Sequence, residues 1–214
     1  MWTVSCDDCP VAAPCFGQSI VIFCDHLNLT AIPIFSKPAD QNLTWDIELH
    51  NNNLKHILNG AFKHLRLRKL FLFENEIEFV DENSFEGSED SLNVLHLYSN
   101  KLAAMPSAVG KMKQLTDLDI HRNPMDALRE DVIENISSTL SSITFGNKEL
   151  NFWPSCLKSL KNLISLTIYD LNILKYKMYP DDILKAYRLS ELIFSNIKSC
   201  QYSMFYTNCS WIFL

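Results

Sequence analysis

Glycine is scarce in this sequence, with 5 among 214 residues, and no run of lysine or arginine interrupts a formal net charge of −6. The first shortage argues against glycine-rich loops that cradle phosphates. The absence of lysine and arginine runs argues against a nucleic-acid partner, because such a partner needs a basic surface. HExxH, GxSxG and P-loop motifs are also missing. We therefore predict a protein that is not an enzyme, uses no cofactor and binds no nucleic acid.

Long apolar segments are missing as well. No stretch approaches the ~18–20 apolar residues of a membrane-spanning helix, so no span is expected in this chain. Residues 1–5 reach Cys6 without the apolar core of a signal peptide. We therefore expect either that a leader is absent from this version of the sequence or that the sequence is truncated at its 5′ end.

Cysteine is present and lies mainly near the two ends of the chain. Of the 7 cysteines, four fall within the first 24 residues and two lie near the C-terminus. Such clusters predict disulfide-stapled ends and an oxidising compartment, so a secreted, extracellular protein is expected. Asn-x-Ser/Thr sequons agree with that location and predict glycosylation. They begin at Asn28, Asn42, Asn135 and Asn208.

The central feature is an internal repeat of the form L-x-x-L-x-L-x-x-N-x-L. Its copies start at residues 44, 67, 92, 115, 140, 163 and 189. Positions 4 and 6 alternate with polar residues, as in a half-buried strand, and position 11 returns an apolar residue to the core. Phe62 and Phe85 occupy equivalent places on the return segment. No repeat buries its apolar row alone, so stacking must build one parallel sheet and one core.

Asparagine at position 9 is predicted to bond backbone groups of the bend after each strand. It occurs at residues 52, 75, 100 and 123. In the later repeats Asn147 and Asn196 come one residue early and are expected to serve through a local bulge. The pattern predicts an α/β solenoid of about seven repeats with a concave parallel sheet and an irregular or short-helix convex side. The predicted parts are a cap over 1–43, repeats over 44–199 and a short tail over 200–214.

The N-terminal cysteines, Cys6-x2-Cys9-x5-Cys15-x8-Cys24, run directly into Leu29-x-x-Ile32-Pro33. Here the sequence resembles extracellular leucine-rich-repeat proteins with a cysteine-rich N-terminal cap. The resemblance implies the disulfides Cys6–Cys15 and Cys9–Cys24. A zinc site with four cysteine ligands is the alternative.

At the other end, Cys200 and Cys209 are expected to form a terminal disulfide. Cys156 is interpreted as a buried free thiol, with pairing to Cys200 as the alternative. Within the family, the return segments over 102–106 and 150–154 are similar to those of secreted arthropod members such as the non-catalytic subunit of decapod shrimp luciferase. That likeness implies a companion of a secreted oxidative enzyme.

The outward strand positions 3, 5 and 7 predict the binding surface. Phe71, Phe73 and Tyr98 should be neighbours there, because adjacent strands lie ~4.8 Å apart. Aromatic patches of this kind mark protein interaction sites. Five residues are expected to surround the patch: His96, Asp117, Asp119, His121 and Arg122. Simple packing of the rings on one another is the other interpretation.

His96, Asp119 and His121 are of ligand type, but we predict no metal site. The function expected from sequence is a binding module that recognises a protein or glycan through the concave face, in innate recognition, in adhesion or as a companion subunit. A fragment of a larger membrane-receptor ectodomain is the alternative. The oligomeric state and the ligand are not determined by the sequence.

Overall fold

A computed structural model of the chain describes residues 10, 11, 14–147, 154–170, 189, 191–197 and 209–213. In this part of the chain, ten strands form one sheet. In spatial order they are β1 (Phe16–Gln18), β2 (Val21–Phe23), β3 (Thr44–Glu48), β5 (Arg66–Phe71), β7 (Val94–His96), β8 (Asp117–Asp119), β9 (Ser142–Phe145), β10 (Ser165–Tyr169), β11 (Glu191–Ile197) and β12 (Cys209–Phe213).

Strands β2 to β11 pair in parallel, whereas β1–β2 and β11–β12 pair antiparallel at the two edges. The seven predicted repeats correspond to the seven strands β3, β5 and β7 to β11, so the repeat prediction is confirmed. A parallel sheet needs a crossover after each strand, and from β3 to β9 each crossover is the return segment of one repeat. The antiparallel strands cover the ends of the stack, where a repeat lacks a further neighbour.

The convex side is built from short elements. The strands β4 (His56–Ile57) and β6 (Phe79–Val80) form a separate two-stranded sheet. They are followed by a 3-10 helix over Ser107–Lys111, the helix α1 (Glu130–Ile136) and a 3-10 helix over Ser155–Ser159. This confirms the predicted irregular and short-helix side. No helix in the described ranges is long and apolar enough to cross a membrane.

Two apolar rows fill the space between the sheet and the convex side. In the first six repeats the leucines and isoleucines of positions 4 and 6 are buried, with exposures of 0% for Leu70, Leu95 and Leu118. Phe62 and Phe85 lie next to each other in a second row, with ring centroids 6.1 Å apart and ring planes tilted by 30°, as their equivalent positions predicted. Phe35 extends this row into the cap, 5.9 Å from Phe62. The core is therefore continuous from the cap into the repeats.

One detail of the first repeat differs from the predicted alignment. The sequence placed Thr44 at position 1, but Trp45 lies opposite Leu67 and fills the core there, with an exposure of 2%. The register shifts between Trp45 and Asp46, so β5 carries one extra residue, Arg68, at this point. Such a bulge cannot be read from the spacing of apolar residues because it changes which residue opposes which.

The N-terminal disulfide also differs from the prediction. Cys15 pairs with Cys24, so the implied pairs Cys6–Cys15 and Cys9–Cys24 are wrong. The reason is the β1–β2 hairpin, in which Phe16 lies opposite Phe23. Cys15 and Cys24 are the next pair outward, and their Cα atoms lie 4.6 Å apart, within disulfide range. The pairing also contradicts the four-cysteine zinc alternative, since two of its ligands are bonded to each other.

Of the remaining cysteines, the structure describes Cys156 and Cys209. Cys156 is a free and buried thiol, as interpreted from sequence, and burial raises its pKa. Cys6, Cys9 and Cys200 lie outside the described residues. Cys209 begins β12, opposite Ile197 of β11. The predicted Cys200–Cys209 disulfide therefore stays a prediction.

Candidate binding surface on the strand face

Asparagine side chains at position 9 tie each of the first four turns of the stack to the previous one. Asn100 donates through Nδ2 to the carbonyls of Leu72, at 2.9 Å, and Leu97, at 3.0 Å, and its Oδ1 accepts from the backbone N–H of Ile77 at 2.9 Å. Asn52, Asn75 and Asn123 make the same type of contacts. The predicted role of the position-9 asparagines is confirmed.

The residue at repeat position 8 turns the chain through the left-handed region. Position 8 has φ between 53° and 55° at Asn51, Glu74, Ser99, Arg122 and Asp170, and the corresponding residue of the cap, His26, has φ 55°. Position 7 is therefore the last outward-facing residue before the bend in each turn. Backbone bonds such as that from the N–H of Glu74 to the carbonyl of Tyr98, at 3.1 Å, keep these positions in register.

Position 7 carries a continuous column of stacked rings. Phe73 lies between His50, at a centroid distance of 4.3 Å, and Tyr98, at 4.5 Å, with interplanar angles of 14° and 5°. Tyr98 stacks on His121 at 4.7 Å, and His121 stacks on Tyr169 at 4.0 Å. We call these five residues the ring ladder. It runs along the strand face, which is the outward side of the main sheet.

Gly146 explains how the ladder crosses repeat five. Gly146 occupies position 7 between His121 and Tyr169, and it has no side chain to separate their rings. Its φ is 122°, and a Cβ at this site would lie 2.7 Å from the backbone nitrogen of Tyr169. The glycine therefore allows Tyr169 to lie against His121 from two strands away. Asn147, one residue early as predicted, still donates to the carbonyls of Asn123 and Met125.

A second row at position 5 flanks the ladder. The ring of Phe71 meets the edge of His96 at a centroid distance of 5.1 Å and that of Phe73 at 6.5 Å. Nε2 of His96 lies 3.6 Å from the carboxylate of Asp117. Asp119 contacts Nδ1 of His121 at 2.5 Å. The structure thus brings together the residues that the sequence assigned to the patch, on β5, β7 and β8 and on the turns that directly follow these strands.

Exposure is lower than the sequence predicted. Phe71, Phe73 and Tyr98 are half-buried rather than exposed, and His121 is buried, with an exposure of 6%. The cause is stacking, since each ring covers the faces of its neighbours. Arg122 is exposed, and its guanidinium carbon lies 5.6 Å from the centroid of Tyr169.

Burial near carboxylates raises the pKa of two groups on this face. The pKa of Tyr98 is raised, first by burial and then by the charges of Asp119 and Glu74. The pKa of Glu48 is also raised by burial, although the neighbouring His50 opposes that change. Tyr98 therefore stays a neutral hydroxyl at physiological pH and offers a hydrogen-bond donor on the ladder.

Comparison with known proteins agrees with this architecture. The chain is 35% identical over 101 residues, or 46% of its length, to Leucine-rich repeat-containing protein 3 of Danio rerio, of which the match covers 36%. This chain is a leucine-rich-repeat solenoid. It is also 26% identical over 117 residues to Reticulon-4 receptor-like 2 of Homo sapiens, covering 45% of this chain and 28% of that protein. The solenoid thus spans about a third of the length of these curated relatives.

No protein-family model matches the chain. Among solved structures, human trophoblast glycoprotein superposes with a TM-score of 0.48 at 21% identity, over 78% of this chain and 74% of that one.

Two members of the ring ladder were missed by the sequence reading. His50 and Tyr169 both occupy position 7 of this leucine-rich-repeat solenoid, yet only residues of the second, third and fourth repeats were assigned to the patch. The position-7 row itself carried the signal, because every one of its residues from His50 to Tyr169 except Gly146 has an aromatic or imidazole ring. The prediction of no metal site was made for His96, Asp119 and His121 and did not cover the rest of the strand face.

Proposed function

We propose that this leucine-rich-repeat solenoid is an extracellular protein-binding module and that its partner contacts the strand face, the predicted concave side. The observation that carries the proposal is the ring ladder with its flanking row of Phe71 and His96. Aromatic residues held rigidly in a surface supply the hot spots of protein interfaces. These rings are already fixed by mutual stacking, so a partner would lose little further side-chain entropy in binding them.

The stacking of the rings favours a protein over a glycan as the binding partner. A sugar ring packs against the free face of an aromatic ring, but both faces of Phe73 and of Tyr98 are covered by neighbouring rings. What remains accessible is their edges, together with carboxylates such as Asp117 and Glu74. Edges and carboxylates suit a partner that presents apolar side chains and basic groups. The net charge of −6 favours the same kind of partner.

An extracellular location is part of the proposal. It is supported by the Cys15–Cys24 disulfide and by the exposure of the sequon residues Asn28, Asn42 and Asn135, which we propose as glycosylation sites. All three side chains are accessible to solvent, as a glycan requires. Asn208 lies outside the described residues.

The binding test compares two aromatic substitutions on opposite sides of the solenoid. The partner would be captured from extracellular fluid of the source with the immobilised chain, identified, and its affinity measured. The double variant Phe71→Ala with Tyr98→Ala should weaken binding by at least about a hundredfold, since each hot-spot truncation costs about 2 kcal/mol or more. Phe79→Ala is the matched control, because Phe79 is 50% exposed on the convex strand β6.

Unfolding curves of both variants would verify that the fold is kept. Equal affinity of the double variant and the wild type would exclude the ladder and its flank as the binding surface. Weakened binding by Phe79→Ala alone would place the partner on the convex side instead.

A second candidate is the ectodomain of a larger receptor, which the likeness to Reticulon-4 receptor-like 2 favours. A full-length transcript that encodes ~20 consecutive apolar residues after the repeats would support it. We also propose that the chain could be the companion subunit of a secreted oxidative enzyme. This proposal is based on the sequence likeness of the return segments over 102–106 and 150–154. Co-purification of a second, catalytic chain would support that function.

A further inference from the structure

Three side chains of metal-ligating type meet where the cap joins the first repeat. One ligand atom from each of Asp25, His26 and His50 lies within 4.8 Å of the other two. The sheet register gathers them: Phe23 of β2 lies beside Glu48 of β3, so two residues later Asp25 comes beside His50. The backbone N–H of His26 donates to the carbonyl of His50 at 3.3 Å. Their proximity therefore follows from the backbone rather than from side-chain rotamers alone.

We propose that Asp25, His26 and His50 bind a Zn²⁺ ion. Two imidazoles and one carboxylate form a mixed nitrogen and oxygen ligand set, which suits zinc and similar divalent ions. Calcium and magnesium prefer ligand sets made of oxygen alone. Three protein ligands leave a fourth tetrahedral position for water or for a group from a partner.

The site is partly organised before an ion arrives. His50 stacks on Phe73 at the end of the ring ladder, and its side chain is only 18% exposed. Oε2 of Glu48 lies 3.1 Å from Nδ1 of His50. A carboxylate next to a ligating imidazole orients the ring and raises its basicity, which is a recurring arrangement around protein-bound zinc. His26 is exposed and completes the set from the edge.

Other histidines on the same face provide a comparison within the molecule. His96 with Asp117 and His121 with Asp119 are also histidine–carboxylate pairs. Each is a pair only, and within the described ranges neither belongs to a set of three mutually close ligand atoms. If these histidines only formed ion pairs with carboxylates, all of these sites would bind zinc equally. A zinc site at Asp25, His26 and His50 would instead bind the ion more tightly than the two pairs do.

The experiment is a calorimetric titration of the full chain with zinc chloride at neutral pH, after free thiols have been blocked by alkylation so that cysteine cannot bind the metal. We expect one ion per chain. Asp25→Asn and His26→Asn should each weaken binding by at least about tenfold, because even the loss of a residue that only supports a ligand typically costs about 10- to 100-fold in metal affinity. Asparagine suits position 26 because φ there is 55°, as it is 54° at Asn51, the equivalent residue of the next repeat.

Two controls test whether the effect belongs to this site. His56→Gln removes an exposed histidine from the separate sheet, and His96→Gln removes one from the strand face; both should leave the zinc affinity unchanged. Equal zinc binding by the wild type and the Asp25→Asn, His26→Asn double variant would overturn the proposal. So would binding of magnesium or calcium as tight as that of zinc, because that result would indicate general attraction to surface carboxylates.

Discussion

At the scale of single residues, the position-9 asparagines link neighbouring turns of the solenoid through buried hydrogen bonds. Asn75, Asn100 and Asn123 share their acceptors: the carbonyl of Leu72 accepts from Asn75 and Asn100, and that of Leu97 accepts from Asn100 and Asn123. The side-chain amides thus form a continuous buried network along the stack. Each one satisfies backbone groups that the strands leave free at their ends.

Asn100→Ala should therefore destabilise the protein strongly. The substitution leaves the N–H of Ile77 without its acceptor at a buried position and removes one of two donors from each carbonyl. We expect a loss of about 2–4 kcal/mol in the free energy of unfolding, measured by urea denaturation. Asn162→Ala is the control, because Asn162 also bonds the previous turn, at the carbonyl of Ser138, but is exposed.

The control should lose less than about 1 kcal/mol, since water can replace an exposed hydrogen bond. Similar losses for the two variants would mean that burial of the network contributes little. This role of asparagine was predictable from sequence, because it depends only on its fixed place in the repeat.

At the scale of elements, the rows of the sheet were predictable and the exceptions were not. The repeat template fixes which residues share a row, so the position of Phe73 beside Tyr98 followed from aligning the repeats. The bulge at Arg68 and the Cys15–Cys24 pairing depend on how strands meet across the sheet, which spacing does not determine. The contact between His121 and Tyr169 depends on the missing side chain between them.

Gly146→Ala tests that last contact. A methyl group here would approach the backbone of Tyr169, which cannot move away as a flexible side chain could, and φ 122° strains any residue other than glycine. We expect a loss of at least about 3 kcal/mol in the free energy of unfolding. Gly87→Ala provides a matched comparison, because φ is 86° and nothing lies within 4 Å of the added carbon.

Gly87→Ala carries backbone strain without a steric clash and should lose only about 1–2 kcal/mol. If the two alanine variants were equally destabilised, close packing of β9 against β10 would not be the reason for glycine at position 146. The comparison separates conformational freedom from close approach, which the sequence alone cannot do.

At the scale of the whole molecule, the solenoid brings together candidate functional residues that are distant in sequence. Asp25 and His50 meet because the cap hairpin continues the parallel sheet, and His50 and Tyr169 belong to one ladder because six successive turns lie in register. The sequence predicted the stack from its period. It did not predict the zinc cluster, since one part of that cluster lies in the cap, outside the repeat pattern.

This architecture also predicts how instability spreads. Each turn contacts only its neighbours, so a local defect should act over a short range. In amide hydrogen exchange of Asn100→Ala, Leu72 and Leu97 should lose protection, since they lie beside the removed amide. Leu166 and Ile168 of β10 lie three strands from β7 and should change much less. Uniform acceleration at all of these amides would instead show that the solenoid opens as one cooperative unit, so that its ends and its centre share a single stability.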